Sequence, residues 1–381
     1  MDKTCNKKKI IISFIGKGDY KEVEYQLNGR RIKSRLAIIP IKELFGPEEI
    51  YVIGTEESKW SELNGIDYKK VIIPAGNSEK EFWQMMDILS ENIKLTNSDV
   101  AFDITHCFRT IPFFVVIYIK FMKFIEPTAE IKHIYYANLD NKSILDLKPL
   151  LDMLDWVDAA SIFKQNGDLE HLSILVTKNL REAFMGEKQT SASSLKKLNK
   201  IMKELSAITK MTYVPQLGEI SNSFSELLAD AEFKSETKRY LKPLYYLLPK
   251  VEEMIEKFKA STEWESQLKI ASWYLDNNRP SQALIVLREA IITHQCLKGG
   301  MDPYDSDVRR EIEETLNKAV KTKSEMPTYQ LWDKVSQHRN KVAHALMRRR
   351  ENINPEKAIR TTAEYLKEAS KILPERSEDE N

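Results

Sequence analysis

A chain of 381 residues, 42% hydrophobic and 30% charged, exceeds the roughly 100–200 residues of one ordinary domain, so two or three are expected. Its 58 basic and 57 acidic side chains leave a net charge of +1, which excludes a molecule-wide cationic surface for nucleic acid and confines such contact to a local patch. The longest apolar stretch, Ile111–Ile125, is interrupted by Lys120 and Lys123 and falls short of the roughly 20 residues of a membrane span. MDKTCNKKK precedes no apolar signal region, so the expected location is the cytoplasm, with no membrane contact. Cys5, Cys107 and Cys296 are scattered and odd in number, which suits neither a disulfide framework nor a CxxC metal pair.

Up to about residue 150, short β-branched runs alternate with helical patterns. The runs are 9–15 (KIIISFI), 50–53 (IYVI), 70–73 (KVII), 100–105 (VAFDIT) and 131–137 (IKHIYYA). Their continuous apolarity predicts strands buried on both faces, in a Rossmann-like, mostly parallel sheet covered by helices. Asn28-Gly29 supplies the positive φ angles of a tight hairpin. Ser78 with Glu81 forms a capping box, and Thr110 with Pro112 marks a second helix start. From about 150 to 373 no strand pattern appears and apolar residues recur every three or four positions, so this part is all-helical. Breaks are expected at 190–194 (TSASS), 215–218 (PQLG) and 277–280 (NNRP), and 375–381 (ERSEDEN) reads as a frayed acidic tail. Ala283, Leu284, Leu287, Ala290 and Ile291 form one helical stripe.

Three segments carry chemistry. In an open parallel sheet, ligands sit beyond the carboxyl ends of the strands. Gly16-Lys17-Gly18-Asp19-Tyr20 follows the first strand, and its glycines let backbone N–H groups approach an anion. Lys21 stands where the third glycine of G-x-G-x-x-G belongs, which argues against a nicotinamide enzyme. The second segment, 103–110 (DITHCFRT), leaves a strand and enters a helix. Thr105, His106, Arg109 and Thr110 there offer donors to phosphate oxygens. In the blander alternative, Asp103 and His106 only satisfy each other and nearby backbone. The third is 337–346 (QHRNKVAHAL). On a helix Asn340 and His344 lie one turn apart, and the long Arg339 side chain can converge with them on one phosphate where two such helices meet. Lys341, Arg348, Arg349 and Arg350 make the surroundings basic. That set suits metal-free RNA cleavage: an imidazole moves the protons of an attacking 2′-hydroxyl or a departing 5′-oxygen, and a guanidinium stabilises the phosphorane. His338 reads as a bystander. Arg288 with His294 is a near-match, but glutamate follows Arg288 and no basic patch surrounds it. Two other classes compete: a non-catalytic nucleotide sensor whose helices recruit a partner, and a metal-dependent nuclease or deaminase. No H-x-E…C-x-x-C or paired-carboxylate pattern supports the latter.

The 103–109 segment resembles the D-x-T-H-x-x-R signature of CRISPR-associated Rossmann-fold (CARF) sensor domains, and 339–344 resembles the R-x4–6-H motif of HEPN ribonucleases. In this order they resemble the CARF–HEPN ancillary ribonucleases of type III CRISPR systems. The resemblance implies a CARF sensor over 1–150, a helical connector over 151–264, a HEPN ribonuclease domain over 265–373 and a disordered acidic tail over 374–381. It implies a homodimer or higher assembly that binds cyclic oligoadenylate, with cyclic tetraadenylate the expected ring. Binding would switch on metal-independent cleavage of single-stranded RNA in antiviral defence, by 2′-hydroxyl attack that leaves a 2′,3′-cyclic phosphate. By the same resemblance Gly16, Lys17, Gly18, Asp19, Thr105, His106, Arg109 and Thr110 would bind the messenger, and Arg339, Asn340 and His344 would form the nuclease. Some members of the family also cut the messenger in the sensor site. Cys107 departs from the family, where glycine is frequent after the histidine.

Overall fold

The computed structural model describes residues 7–108, 110–138, 140–184, 193–347 and 353–374. Cys5, Arg109, Arg348, Arg349, Arg350, the 190–192 part of the expected TSASS break and the 375–381 tail lie outside them. The chain divides into two compact units, Met1–Leu154 and Asp155–Asn381.

The first unit holds one sheet of eight strands: β1 (Lys8–Phe14), β2 (Val23–Leu27), β3 (Arg30–Ser34), β4 (Glu49–Gly54), β5 (Lys69–Ile72), β6 (Ser98–Asp103), β7 (Glu130–Asn138) and β8 (Ser143–Asp146), in the order β3-β2-β8-β7-β6-β1-β4-β5. β7, β6, β1, β4 and β5 run parallel, and these are the five apolar runs of the sequence. Side chains alternate across a strand, so the run in β1 serves two cores. Ile10, Ile12 and Phe14 pack with Met85, Leu89, Val115 and Ile119 from α2 (Glu79–Asn92) and α3 (Ile111–Ile125), while Ile11 packs with Ile38 and Ile41 from α1 (Ile38–Phe45).

The β2–β3 hairpin turns at Asn28 and Gly29, both at positive φ (48° and 78°), as Asn-Gly requires. Ser78 caps α2 by accepting from the Glu81 amide, but the Glu81 carboxylate accepts from the Gly76 and Asn77 amides rather than returning to Ser78. Two elements escape the sequence pattern. β8 is four residues long, too short for periodicity to show, and is held antiparallel to β7. α1 contains Pro40 and opens with no side-chain cap; its end is marked by Gly46 at φ 65°.

The second unit is helical: α4 (Lys148–Asn166) enters it, followed by α5 (Glu170–Phe184), α6 (Ser193–Met211), α7 (Val214–Ala229), α8 (Ala231–Tyr240), α9 (Lys242–Glu256), α10 (Glu263–Asp276), α11 (Pro280–Lys298), α12 (Ser306–Lys321), α13 (Pro327–Ala343) and α14 (Pro355–Ile372). One apolar cluster runs from Trp156 to Leu373, so position 264/265 falls inside a continuous core. The break expected at 215–218 is displaced. Pro215 occupies the first turn of α7, where its missing N–H costs nothing, and Gly218 lies within that helix; the chain turns instead at Thr212 (φ 61°) and Tyr213. At 277–280 the break occurs as read, with Asn278 at φ 58° and Pro280 opening α11. The five stripe residues of α11 are buried, as are Val286 and Ile292. Arg288 ties α11 to its neighbours: its guanidinium bonds Glu289 (2.6 Å) and Glu313 (2.5 Å) and lies 5.0 Å over the Trp332 ring of α13. Among the described residues no helix is long and apolar enough to cross a membrane.

At the amino ends of β1, β4 and β5, Glu49 pairs with both Lys8 and Lys69. Burial raises the pKa of this carboxyl, but the lysine bonds outweigh burial and hold it at about 2, against an ordinary 4.5. A depressed carboxylate stabilises the fold above its unfolded pKa and loses that contribution as pH falls through the folded value. Allowing for solvent screening, Glu49→Gln is expected to cost about 1–2 kcal/mol at pH 7. In melting curves the gap to the native chain should narrow steadily from pH 5 to pH 3; a gap independent of pH would remove the charge from the account.

Candidate functional site

The loops at the carboxyl ends of the parallel strands are organised by a carboxyl group with no solvent exposure. Asp103 closes β6 and is fully buried. Its Oδ2 accepts from Ser13 Oγ (2.8 Å) on β1, and its Oδ1 accepts from the Thr105 amide (3.1 Å). A buried carboxylate without such donors would cost several kcal/mol, so these bonds fix both the end of β1 and the path of the next loop. Thr105 follows the same logic: its hydroxyl oxygen accepts from the Ala137 amide of β7 at 3.0 Å, which leaves the hydroxyl proton to be donated elsewhere. His106 Nε2 accepts from the Ala37 amide at the start of α1 (3.2 Å). With Nε2 as acceptor, the proton of the neutral ring sits on Nδ1.

The loop after β1 comes to meet this one. Tyr20 packs edge-on against His106, ring centres 4.8 Å apart, and its hydroxyl oxygen accepts from the Gly16 amide (2.9 Å). A Cβ on Gly16 would stand 3.0 Å from the His106 carbonyl oxygen, so the close approach of the two loops depends on glycine. The loop after β4 joins them. The Lys59 amide donates to Gly16 O (3.0 Å), the Lys59 ammonium pairs with Asp19, and Lys17 pairs with Glu57. Gly16, Lys17, Gly18, Asp19, Thr105 and His106 thus belong to one cluster beyond the carboxyl ends of β1, β4 and β6. Thr110 is exposed at the start of α3 and makes no side-chain cap bond.

Asp103 and His106 do not satisfy each other through a direct bond. Each is committed to other partners, which makes both partly structural. Cys107 turns its sulfur inward to donate to Ile104 O (2.9 Å); burial first, and the nearby Asp103 charge second, push the thiol up to about 12, so it stays protonated. Ser13, Tyr20, Lys59 and the Ala37 amide complete the cluster beyond the residues the motif supplied. Ser13 had a signal, as the one serine in the five apolar strand runs. Lys59 had none.

The second site lies at the carboxyl end of α13. Leu331, Trp332 and Val335 bury one face of the helix, and Trp332 Nε1 donates to Asn317 Oδ1 (3.0 Å). One turn on, Arg339 Nη1 lies 3.4 Å from Asn340 Oδ1, and Arg339 Nε is buried without a hydrogen-bond partner among the described residues. The helix expected to carry both Asn340 and His344 ends at Ala343. His344 is its terminal cap, donating its amide to Asn340 O (3.1 Å), and Ala345 and Leu346 adopt left-handed φ angles of 46° and 60°. Asn340 and His344 therefore remain linked across the last turn, at a helix end rather than mid-helix.

His338 faces elsewhere. It packs edge-on to Tyr365 of α14 (5.9 Å) and lines an apolar groove of about 360 Å³ with Leu284, Val342, Leu346 and Ile359. Burial, then Lys341, lower its pKa. Arg288 and His294 are both spent on packing, the first as described and the second buried with its ring edge-on to Trp264.

Burial lowers the pKa of His106, with Asp103 opposing the shift. Because Nε2 must be unprotonated to accept the Ala37 amide, acidification through the folded pKa breaks that bond, and the stability it lends is lost as pH falls below the ordinary 6.5. Long-range 1H–15N NMR should find His106 as the Nδ1–H tautomer, titrating below 6.5, with the Ala37 amide shifting in parallel. A midpoint above 6.5, or a proton on Nε2 at neutral pH, would contradict the assignment.

The family model described as CRISPR-associated protein MJ1674, second domain, matches residues 152–265, from α4 to the first turn of α10. The chain is also 24% identical to CRISPR-associated protein MJ1674 of Methanocaldococcus jannaschii, over an alignment that covers 94% of this chain and 66% of that protein. The chain thus spans a little under two thirds of that relative's length, and the similarity to a protein named CRISPR-associated extends along nearly all of it.

Proposed function

We propose that the chain acts in CRISPR defence as a metal-independent endoribonuclease on single-stranded RNA, working as a homodimer switched on by a cyclic oligoadenylate. The observation that carries the reading is the meeting of the DITH loop with the Gly16 loop at the carboxyl ends of parallel strands, on a chain whose last helices bear Arg339, Asn340 and His344. Phosphates of the ring would meet the Gly18 amide, the Thr105 and Thr110 hydroxyls, His106 Nδ1–H, Lys17 and Arg109, with Gly16 holding the two loops together. A ring of repeated nucleotides can lie on a two-fold axis and contact both subunits alike.

At the nuclease end the chemistry is a transesterification. The ribose 2′-oxygen attacks phosphorus and its proton passes to an imidazole; the 5′-oxygen leaves with a proton; the product is a 2′,3′-cyclic phosphate. His344 supplies the imidazole, Arg339 stabilises the charge of the phosphorane, and Asn340 orients the guanidinium it touches. The messenger alters the rate only by as much as it binds the active arrangement better than the idle one.

Cleavage of a fluorescent single-stranded RNA, with EDTA present, is the test. Cyclic tetra- or hexaadenylate should raise the rate, and His344→Ala should lower the stimulated rate by about 10²–10⁴-fold. Undiminished activity of that variant removes the catalyst. Tight messenger binding without cleavage assigns the chain to the sensor class, and activity that disappears on chelation assigns it to the metal-dependent class. Arg109→Ala is expected to raise the messenger concentration needed for activation while leaving unstimulated cleavage unchanged.

A further inference from the structure

The first helices of the second unit gather cations and rings at one end. α5 and α6 run antiparallel, with Asn199 Nδ2 donating to Thr177 Oγ1 (2.9 Å) and Lys210 paired with Glu170, so the end of α5 stands beside the start of α6. The end of α8 joins them: Tyr240 packs on Phe184 of α5, ring centres 5.3 Å apart, and the Ser194 hydroxyl of α6 donates to Glu236. α9 follows at once, with the Tyr245 and Tyr246 rings edge-on at 5.8 Å. Six exposed cations lie on these turns: Arg181, Lys196, Lys197, Lys238, Arg239 and Lys242. Among the described residues none of the six forms an ion pair. The carboxylates of the same turns are Glu182 and Glu236, the second already bonded to Ser194.

We propose that this surface binds single-stranded RNA with little regard to sequence, through α5, α6, α8 and α9 rather than the catalytic set of α13. Such a hold deepens the proposed function, on which RNA as the substrate rests. A merely solvated face needs cations alone; here rings accompany them. The Lys238 ammonium lies 5.8 Å from the Tyr245 ring centre, the Arg239 guanidinium lies 5.0 Å over Tyr240, and Tyr246 is 68% exposed. Unpaired cations draw phosphates by releasing the counterions around them, and exposed tyrosines offer faces on which bases stack. A duplex keeps its base faces covered, so rings of this kind serve an unpaired strand. Lipid suits the surface less well, because interfacial helices insert apolar side chains. The exposed aliphatic residues of these four helices, Ile174 and Met211, lie toward the opposite end, where α5 begins and α6 finishes. A chain of net charge +1 thus holds its cations for nucleic acid in one place instead of spreading them.

Fluorescence anisotropy of the full chain with a fluorescein-labelled 2′-O-methyl oligouridylate tests this, since a probe with no free 2′-hydroxyl is not cut by the proposed chemistry. Lys196→Gln, Lys197→Gln, Lys238→Gln and Arg239→Gln together should weaken binding about 10-fold or more and lower the slope of log affinity against log salt by about 2–3, at roughly 0.7 per cation lost. Tyr246→Ala should weaken binding about 5-fold or more, and Tyr246→Phe, which keeps the ring, should bind as the native chain does. Should the fourfold variant melt early, Lys196→Gln with Lys197→Gln takes its place, with half the change in slope. A native chain that does not bind the probe overturns the proposal, as do cation and Tyr246→Ala variants that bind it natively. Variants that keep the probe but lose phosphatidylserine vesicles assign the surface to lipid and overturn it as well. Loss of the probe by the variants of a chain that cleaves no RNA leaves the surface standing and removes only the nuclease reading.

Discussion

A single buried carboxyl group governs the loop cluster at the carboxyl ends of the parallel strands. Asp103 lies where water is excluded, and its bonds from Ser13 Oγ and the Thr105 amide offset the cost of burying its polar oxygens there. Because Ser13 and Asp103 face each other in the β1–β6 register, the bond also locks the two strands at the level where their loops depart. The next three residues follow from it. The Thr105 amide is drawn back toward Asp103, its hydroxyl reaches β7, and the imidazole of His106 is delivered to the start of α1. A change at Asp103 would thus be felt first in where the loop points, before any ligand is considered.

The helical unit uses a comparable device at the other end of the chain. Arg288 is a half-buried cation held between two carboxylates and the face of Trp332, which joins α11, α12 and α13. Breaking a buried pair is costly because it leaves an uncompensated charge, so the inner face of α13 is strongly fixed. That rigidity matters for chemistry. Arg339 and Asn340 lie on the last turn of α13 and His344 is its cap, beyond the anchored turns, and groups carried by or next to a rigid element are placed more accurately than groups on a free loop.

Much of the fold was legible because buried strands of a parallel sheet carry continuous apolar runs, and all five such runs are strands of the sheet. β8 was not, since four residues carry no periodicity. The loop motif was legible as a cluster of donors, yet its partners were not: the Ala37 amide lies 69 residues from His106, and Ser13 lies 90 from Asp103. Sequence spacing reports neighbours along a helix or strand, and these contacts exist only once the sheet has formed. The displaced break and the unannounced end of α13 each have a local cause. Proline and glycine at 215–218 suggested a break, but proline is welcome in a first helical turn. The end of α13 carries no such mark, because Ala345 and Leu346 take the left-handed conformation that glycine or asparagine usually announces.

The two sites differ in how much one copy of the chain can do. At the carboxyl ends of the strands, three loops of a single copy already hold one another through backbone and side-chain bonds, so the anion binding proposed there would need only one subunit to begin. Strand cleavage is different. In the proposed reaction the attacking and departing oxygens lie on opposite sides of phosphorus, one losing a proton and the other gaining one, and a single His344 per chain would reach only one side. A second copy would supply the other imidazole, and cleavage would then depend on the relation between two α13 ends in a way that messenger binding would not. On the proposed function, a messenger bound across a two-fold axis would control the reaction without touching RNA, since its binding energy would need to favour only that relation. The extent of control is the difference between its affinities for the two arrangements.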